Sequence, residues 1–502
     1  MNILRHPLLL TGLYAFLTTV FFSNSHFYSY VFHGGCFLIP HLFLAFIIHF
    51  TFWYSIIWLA GISRIAAFSI LPILLFTQMY CFQAEVTFGV TSVELAVATI
   101  NTNWDEARVF LNWHTGLLLI SGIAGILSIC FLASKINGRK CNRSILISSS
   151  IFLAGVLSLC AAPTAKALSN DKSKTVDEWH LFFKAYHPAL HSGQFWKSAY
   201  EFLTPNQLPS ITDYASHATC QEKPEIVILY IGEAMRADHS PLNGYHRNTT
   251  PGIGSSANII NLPNVLSGAT QTLKSIYSIL TLTSPTTGEP THGSFIDLLA
   301  NHQYSQSLLV GANTEGWWYK TPQVAALFHP HLQLYSRPAS AEQYADDINK
   351  VAEANNSPKF ILIEDGAGHM PYRSEHKTFG EQRDIDKYDN CILDIDARLS
   401  AIINALKDRD AILLFTSDHG ESFGEEGRYG HAGPMSAMEQ RHVFSFIWYS
   451  DSYAAKRPEI VKSLKDNAAI FTSHDFIYHT IISMCGIHSD AQIPEQDMTR
   501  PR

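Results

Sequence analysis

The chain has 502 residues, of which 47% are hydrophobic and 16% are charged, and its net charge is −8. Soluble proteins carry about 25% charged residues, so this chain is poor in charged residues. The acidic balance excludes a nucleic-acid-binding protein, which would show a basic patch or stripe. Eight cysteines are too few for a disulfide scaffold, and because no CxxC pair is present, a thiolate zinc site has no support.

The first third of the chain contains five apolar runs that predict transmembrane helices. No Asp, Glu, Lys or Arg lies between Arg5 and Arg64, which leaves room for two spans of about 20 residues each. The runs lie near 8–23, 36–60, 65–82, 116–134 and 144–164. The sequence therefore predicts a five-helix transmembrane domain over residues 1–166, with an uncleaved anchor instead of a signal peptide.

Positive charges predict the orientation of these spans. The loop 135–143 contains four Lys or Arg residues, and with five spans the basic ends at Arg5 and Arg64 fall on the same side. Because basic short loops stay in the cytoplasm, residues 167–502 are expected outside it. Residues 167–220 carry regularly spaced aromatic side chains, which favours juxtamembrane linker helices at the membrane surface.

From about residue 221 the pattern changes to that of a soluble α/β domain, predicted over 221–502. Continuous aliphatic runs predict buried strands at Glu225–Ile231, Ser307–Val310, Phe360–Ile363, Ala411–Phe415 and Phe444–Tyr449. Apolar residues at helical spacing over Asp386–Leu406 predict a helix between two of them. Alternating strands and helices indicate a mostly parallel sheet covered on both faces, an α/β/α arrangement.

Polar residues follow two of these strands directly. Glu233 comes after the first strand, and Asp418 and His419 come after the strand that starts at Ala411. Ligands of open α/β sheets bind beyond the carboxyl ends of the strands. Carboxylate oxygen and imidazole nitrogen are ligands that zinc accepts. A single Glu233 would be typical of a helix N-terminus, but the three residues together predict a metal site.

A hydroxyl-rich segment, Ser267–Ser275, offers two candidate nucleophiles, Thr270 and Thr272. A Thr at a helix start is often only an N-cap. Beside a metal, however, a hydroxyl loses its proton more readily and becomes a nucleophile. His369 and His431 lie in glycine-rich loops, in which the backbone approaches a ligand closely. These two histidines are expected to contact a phosphate or to act as general acids.

In this order the motifs resemble those of the bacterial phosphoethanolamine transferases, membrane-anchored members of the alkaline phosphatase and sulfatase superfamily. The similarity rests on the five amino-terminal spans and on motifs spread over nearly the whole chain. These motifs are Gly232-Glu233, Pro241–Tyr245 with Arg247, Thr270–Ser275, Tyr388–Asp396, Ser417–Ser422 and His431. The resemblance implies that Glu233, Thr272, Asp418 and His419 hold a zinc ion, and it leaves a second ion open.

The resemblance also implies a catalytic cycle. Thr272, favoured over Thr270 by its spacing to Ser275, would attack phosphatidylethanolamine and release diacylglycerol. The phosphoethanolamine group would then pass from Thr272 to a lipopolysaccharide acceptor, at a core heptose or at lipid A. His369 and His431 would bind the phosphoryl oxygens or protonate the leaving group.

The same resemblance extends to the substrate contacts and the location. Asn313 and Lys320 would reach the phosphate of the donor. The chain would be a multi-pass protein of the bacterial inner membrane, with its catalytic domain in the periplasm.

The cysteines separate this chain from the lipid A branch of that family, which has a Cys beside the nucleophile motif. The outer domain contains only Cys220, Cys391 and Cys485, and Ser267 precedes Gly268. Three cysteines allow at most one internal disulfide, which favours a core heptose or another periplasmic glycan over lipid A as the acceptor. The alternatives are a glycerol-phosphate transferase of the lipoteichoic acid synthase type, a sulfatase or phosphatase that transfers the group to water, and a receptor with a degenerate domain.

Overall fold

The computed structural model describes residues 7–21, 39–63, 65–88, 120, 122–131, 147, 195–197, 199–200, 218–220, 222–283, 290–312 and 332–502. The chain divides into two compact units, Met1–Tyr200 and Glu201–Arg502. The predicted boundary at 166 and most of the linker 167–220 lie outside the described residues, so the predicted three-part division stays a prediction.

The first unit is helical wherever the structure describes it at length. Its helices are α1 (Pro7–Phe21), α2 (Ile39–Ile62) and α3 (Leu71–Phe88), and a π-helical turn, Ala66–Ile70, precedes α3. Residues 122–131 are helical as well. Buried side chains of α2 and α3 form its core, including Trp53, Ile57, Leu71 and Leu75.

Helices therefore lie where the first three apolar runs are. None of the helices in the described residues is both long enough and apolar enough to cross a membrane. The run 144–164 lies outside the described residues apart from Ile147. The five predicted spans stay a prediction.

The second unit is a mixed α/β domain. In chain order its strands are β1 (Thr219–Cys220), β2 (Ile226–Gly232), β3 (Ile259–Asn261), β4 (Val265–Leu266), β5 (Thr281–Thr283), β6 (Pro290–Ser294), β7 (Ser305–Val310), β8 (Gln333–Ser336), β9 (Lys359–Asp365), β10 (Ala411–Ser417), β11 (Ser422–Phe423), β12 (Tyr429–Gly430), β13 (Ser445–Tyr449), β14 (Thr472–Ser473) and β15 (Ile487–His488). Its helices are α4 (Pro251–Ser255), α5 (Thr272–Leu280), α6 (Phe295–Asn301), α7 (Ala341–Glu353), α8 (Asp384–Leu406), α9 (Asp451–Lys456), α10 (Pro458–Asn467) and α11 (Asp475–Met484).

Seven of these strands form the central sheet, in the order β3-β13-β10-β2-β9-β7-β8. The ladders from β10 across to β8 are parallel, whereas β13 is antiparallel to both of its neighbours. The three central strands β10, β2 and β9 are buried along their whole length. Burial on both faces explains their continuous apolar sequence, because each alternate side chain meets a different layer of helices.

The two faces of the sheet are covered by different helices. On one face, Ile228 and Tyr230 of β2 belong to a buried cluster with side chains of α7 and α8. On the other face, Phe295 of α6 contacts Phe360 of β9 and Tyr478 of α11 edge to face. The predicted α/β/α architecture of this unit is confirmed. Cys391 and Cys485 are buried free thiols.

A buried carboxylate of helix α8 binds the segment that follows β2 through hydrogen bonds. Asp389 of α8 accepts hydrogen bonds from Tyr245 (2.8 Å) and Arg247 (2.6 Å), and its other oxygen lies 2.7 Å from Nδ1 of His239. The Asp389 side chain is fully buried. A buried carboxylate is stable only when it is paired and hydrogen-bonded, so these three partners fix the path of residues 239–247 over the helix.

Replacing Asp389 should therefore destabilise this segment strongly. Asp389→Ala leaves Arg247 and His239 without their shared partner, and removing one member of a buried pair costs about 3 kcal/mol. Hydrogen exchange followed by mass spectrometry should show faster exchange in residues 239–250. The control is Asp384→Ala on the same helix, since Asp384 is 70% exposed and a surface pair contributes at most about 1 kcal/mol. Equal protection of residues 239–250 from exchange in the two variants would contradict the proposed role of Asp389.

Candidate metal centre and active site

The register of the central strands brings two ligand-bearing loops to the same edge of the sheet. Gly232, the last residue of β2, lies opposite Ser417 of β10 on one side and opposite Asp365 of β9 on the other. The next residues along the chain, Glu233 and Asp418, therefore leave adjacent strands at the same level. This is the carboxyl edge, where ligands of such sheets bind.

Glu233, Asp418 and His419 converge on one point. Each offers a ligand atom, and these atoms lie within 4.8 Å of one another. Nε2 of His419 is 3.2 Å from Oε1 of Glu233 and 3.4 Å from Oδ2 of Asp418. All three side chains are buried. The structure thus brings Glu233 together with Asp418 and His419, which follow it by 185 and 186 positions, as the sequence predicts.

Hydrogen bonds orient two of these groups toward the common point. Oδ1 of Asp418 accepts the backbone N–H groups of Ala234 (3.0 Å) and His419 (2.7 Å). Nδ1 of His419 lies 2.8 Å from the carbonyl oxygen of Gly420. A donated bond from Nδ1 to that carbonyl leaves Nε2 as the atom that faces the carboxylates, which is how metal-binding histidines are usually held.

The remaining oxygens of the carboxylates have no hydrogen-bond partner among the described residues. These atoms are Oε1 of Glu233 and Oδ2 of Asp418. Unpaired buried carboxylate oxygens are costly, and a divalent cation between them and Nε2 of His419 would stabilise all three atoms. The donor set of two carboxylates and one imidazole therefore fits a divalent metal such as zinc.

The protonation states of the metal-free cluster follow from its charges. Burial acts to lower the pKa of His419, but the negative charges of Asp418 and Glu233 outweigh it and raise the pKa to about 10. Burial also acts to raise the pKa of Glu233, which the charge and hydrogen bond of His419 nevertheless lower. Burial and the charge of Glu233 raise the pKa of Asp418. Without a metal, a protonated His419 is the cation of the cluster.

Thr272 is the hydroxyl that faces this cluster. Its Oγ1 lies 3.4 Å from Oε2 of Glu233 and 3.3 Å from Nε2 of His419. Thr272 is the first residue of helix α5, so the free N–H groups of a helix start lie nearby, where negative charge is stabilised. By contrast, Oγ1 of Thr270 donates to the carbonyl of Gly433 at 2.6 Å. The hydrogen bonding therefore separates two threonines that the sequence offers side by side.

Ser267 connects the nucleophile segment to the metal-binding loop. Its hydroxyl donates to the carbonyl of Asp418 at 2.5 Å, accepts the N–H of Ala269 and lies 2.9 Å from the hydroxyl of Ser275 on α5. Ser267 is completely buried. These contacts hold the start of α5 and the Asp418 turn in a fixed relation.

His369 and His431 lie beside the cluster. The ring of His431 is 4.5 Å from that of His419 and 5.2 Å from that of His369, between ring centroids. The loop that carries His369 approaches closely, because a Cβ at Gly368 would lie 2.0 Å from the carbonyl oxygen of Glu233. Only glycine fits there. The other two predicted contacts, Asn313 and Lys320, lie outside the described residues.

Glu421 is a neighbour of the site to which the sequence assigned no role. It is completely buried, and neither of its carboxylate oxygens has a hydrogen-bond partner among the described residues. Its Oε1 lies 3.5 Å from Nδ1 of His431. The sequence shows a carboxylate two residues after His419, but it does not show the contact with His431, which lies ten residues further along the chain and beyond a turn.

The sequence profile of the Sulfatase family matches residues 225–487, which contain every element of the site described above. The Kdo(2)-lipid A phosphoethanolamine 7''-transferase of Salmonella typhimurium is 24% identical over 294 residues, which are 52% of each chain. The phosphatidylethanolamine transferase Mcr-1 of Escherichia coli is 25% identical over 306 residues, 53% of this chain and 55% of that protein. The present chain thus spans about half the length of these two relatives in the aligned regions.

A solved structure extends the similarity in fold beyond this region. The integral membrane protein lipooligosaccharide phosphoethanolamine transferase A (EptA) from Neisseria meningitidis superposes with a TM-score of 0.76 at 19% identity, covering 97% of both chains. At this level of identity the superposition establishes a shared fold.

The metal centre should release a proton when it is filled. His419 must lose its proton to bind a metal through Nε2, and its pKa of about 10 keeps it protonated at pH 7 in the metal-free cluster. Binding should therefore release roughly one proton and weaken as the pH falls. Titration calorimetry with Zn²⁺ in buffers of different ionisation enthalpy measures this number.

A pair of variants on one strand tests which carboxylate is a ligand. Asp410 and Asp418 flank β10 at its opposite ends and are both buried. Asp418→Asn should weaken Zn²⁺ binding by at least about 100-fold, the upper end of the loss caused by removing a supporting partner alone. Asp410→Asn should keep the full metal content, so equal losses in the two variants would exclude this site.

Proposed function

The chain belongs to the sulfatase family, and we propose that it is a zinc-dependent phosphoethanolamine transferase that takes its donor, phosphatidylethanolamine, from a membrane. The observation that carries this proposal is the position of Thr272. Its hydroxyl lies within 3.4 Å of both a buried carboxylate and a buried imidazole that form the metal cluster. A hydroxyl placed in this way is a nucleophile for group transfer, whereas the other threonine of the segment is committed to a backbone carbonyl.

In the first step, Oγ1 of Thr272 attacks the phosphorus of the donor. The new bond joins Oγ1 to phosphorus, and the bond from phosphorus to the glycerol oxygen breaks. The proton of Thr272 passes to the Glu233 carboxylate, to which the hydroxyl donates. A zinc ion held by Glu233, Thr272, Asp418 and His419 would lower the pKa of the hydroxyl and neutralise charge on the phosphoryl oxygens.

The leaving glycerol oxygen needs a proton, and His431 is the group we propose as its donor. Oε1 of Glu421 lies 3.5 Å from Nδ1 of His431, without a hydrogen bond between them. We propose that this contact tightens to a hydrogen bond in the substrate complex, as catalytic contacts often do. A proton on Nδ1 would then face the carboxylate and leave Nε2 for the substrate. A carboxylate in this position fixes the tautomer and the orientation of a catalytic imidazole. His369, whose ring lies next to that of His431, would contact the phosphoryl oxygens, together with Asn313 and Lys320.

In the second step, an acceptor hydroxyl attacks the phosphorus of the phosphoethanolamine-threonine. The bond from phosphorus to Oγ1 breaks, and Oγ1 of Thr272 takes back the proton that Glu233 received in the first step. His431 now accepts the proton of the attacking hydroxyl, the reverse of its first role. The names of two relatives refer to lipid A and to phosphatidylethanolamine, which supports lipopolysaccharide as the acceptor, at the core heptose or lipid A. The chain would then act at the periplasmic face of the bacterial inner membrane, and lipopolysaccharide from cells with and without the protein should differ by one phosphoethanolamine group in mass spectra.

Thr272→Ala should abolish formation of the covalent intermediate. Without Oγ1 there is no atom to bond to phosphorus, although the remaining metal ligands stay in place. The measurement is mass spectrometry of the tryptic peptide Asn248–Lys274, which contains position 272, after incubation with phosphatidylethanolamine and no acceptor.

The matched control is Thr270→Val, which removes the neighbouring hydroxyl and keeps its shape. This variant should still form the adduct on Thr272, at a rate reduced by the loss of the bond to Gly433. An adduct in Thr272→Ala, or its loss only in Thr270→Val, would show that the nucleophile is wrongly assigned. A glycerol-phosphate adduct from phosphatidylglycerol, with none from phosphatidylethanolamine, would favour the lipoteichoic acid synthase type of reaction.

Glu421→Ala should slow transfer from a poor leaving group more than transfer from a good one. If Glu421 positions His431 as the acid, its loss should lower kcat by about 100-fold with phosphatidylethanolamine, in the usual range for acid catalysis. The p-nitrophenyl ester of phosphoethanolamine releases p-nitrophenolate, which needs no proton to leave, so kcat with this donor should fall much less. The control is Glu425→Ala. Glu425 lies in the same loop as Glu421 but pairs with Arg236, so its loss should change kcat with both donors alike. The same loss with both donors in Glu421→Ala would refute this role.

A further inference from the structure

Exposed apolar side chains concentrate in one loop at the active site. In the described part of residues 218–502, seven large hydrophobic side chains are exposed: Leu334, Tyr335, Tyr429, Met435, Met438, Phe471 and Ile493. Three of the seven fall within ten residues, 429–438, which we call the rim loop. His431, the proposed acid, belongs to the same loop. Isolated exposed apolar residues are ordinary, but a cluster beside a site indicates contact with a ligand or partner.

The burial pattern of the rim loop is the reverse of that in an ordinary surface loop. Its small residues are the buried ones, namely Gly430, Ala432, Gly433 and Ala437. The large side chains of Tyr429, Met435 and Met438 are 57%, 50% and 46% exposed. Folding of the domain therefore buries little of the apolar surface of this loop, and that surface stays available to a ligand or partner.

Hydrogen bonds fix the rim loop to the nucleophile segment. The N–H of Ala432 donates to the carbonyl of Thr270 at 2.5 Å, and Thr270 donates back to the carbonyl of Gly433 at 2.6 Å. The side chain of Gln440 accepts from the N–H of Gly433 and donates to the carbonyl of Gly430. Apolar side chains carried by this loop thus keep a defined position relative to Thr272.

We propose that Tyr429, Met435 and Met438 bind the diacylglycerol part of the donor lipid while its phosphodiester reaches Thr272. This inference rests on the proposed function and names the part of the substrate that the polar cluster does not recognise. A phosphodiester bound at the buried cluster would leave its two acyl chains outside it, and the three exposed apolar side chains belong to the loop whose His431 lies beside the cluster. Two methionines suit such a surface, because their unbranched side chains adapt to a flexible apolar ligand.

The test compares two donors that share a phosphodiester and differ in their chains. The full chain is assayed in detergent micelles with dioleoyl phosphatidylethanolamine and, separately, with glycerophosphoethanolamine, which has no acyl chains. In the variant Tyr429→Ser/Met435→Ser/Met438→Ser, the ratio of kcat/KM for the first donor to that for the second should fall about tenfold or more. The control Leu334→Ser/Tyr335→Ser/Ile493→Ser removes equally exposed side chains elsewhere and should keep the wild-type ratio.

An unchanged ratio in the rim variant would overturn the proposal, and so would an equal fall in the control. A rim variant that keeps its donor ratio but loses transfer to a lipid acceptor would assign this surface to the acceptor instead. If the wild-type protein forms no adduct with either donor, the proposed function fails independently of the rim loop.

A second readout does not depend on turnover. The full-length Thr272→Ala variant is mixed with a phosphatidylethanolamine analogue that carries a diazirine in its acyl chain. The mixture is irradiated to crosslink the analogue, and the protein is then digested with trypsin. The expected label lies in the peptide Tyr429–Arg441, which trypsin releases because Arg428 precedes it. Label confined to other peptides of residues 218–502 would overturn the proposal.

Discussion

Two like charges buried next to each other are the constraint on which this structure depends. Glu233 and Asp418 each direct an unpaired oxygen toward the same point as Nε2 of His419. Two carboxylates repel each other in a buried site unless a cation lies between them. A protonated His419 supplies that cation in the metal-free protein, and a divalent metal would supply more charge in less space. A divalent metal would therefore stabilise this arrangement more than a single imidazolium does.

The rest of the second unit maintains this geometry. The register of β2 and β10 sets Glu233 and Asp418 at one level, and Tyr388 of α8 bonds the backbone of Ala234 and Arg236 just beyond Glu233. Ala234 itself has a positive φ of 58°, a conformation that surrounding contacts must impose on a residue other than glycine. Helix α8, which carries Asp389, thus also shapes the ligand loop.

The long elements and the metal residues could be predicted because their signals are local. The strands β2, β9 and β10 are continuous apolar runs, and the ligands follow two of them directly in sequence. The short strands β3 and β8, at the two edges of the sheet, and helix α7 were not predicted, because their apolar content is small and tertiary pairing decides their structure. The role of Glu421 could not be predicted, because it depends on the spatial contact with His431 across a turn. The resemblance already favoured Thr272 over Thr270 by its spacing to Ser275, and the hydrogen bond from Thr270 to Gly433 supports that choice. The roles of Asn313 and Lys320 stay predictions, because the structure does not describe those residues.

The charges of the site link its two proposed ligands. A phosphodiester is an anion, and in the metal-free protein it would approach three buried acidic side chains, Glu233, Asp418 and Glu421. A divalent cation between the first two would neutralise their charges and so weaken the negative potential that the phosphate meets at Thr272. Donor binding is then favoured by metal binding, and by reciprocity the donor strengthens the hold of the site on its metal. The apolar rim loop contributes in either state, because contact with acyl chains does not depend on the charge of the cluster. If both proposals hold, the acyl chains of a lipid donor would contribute to binding in either state, whereas transfer would require the metal.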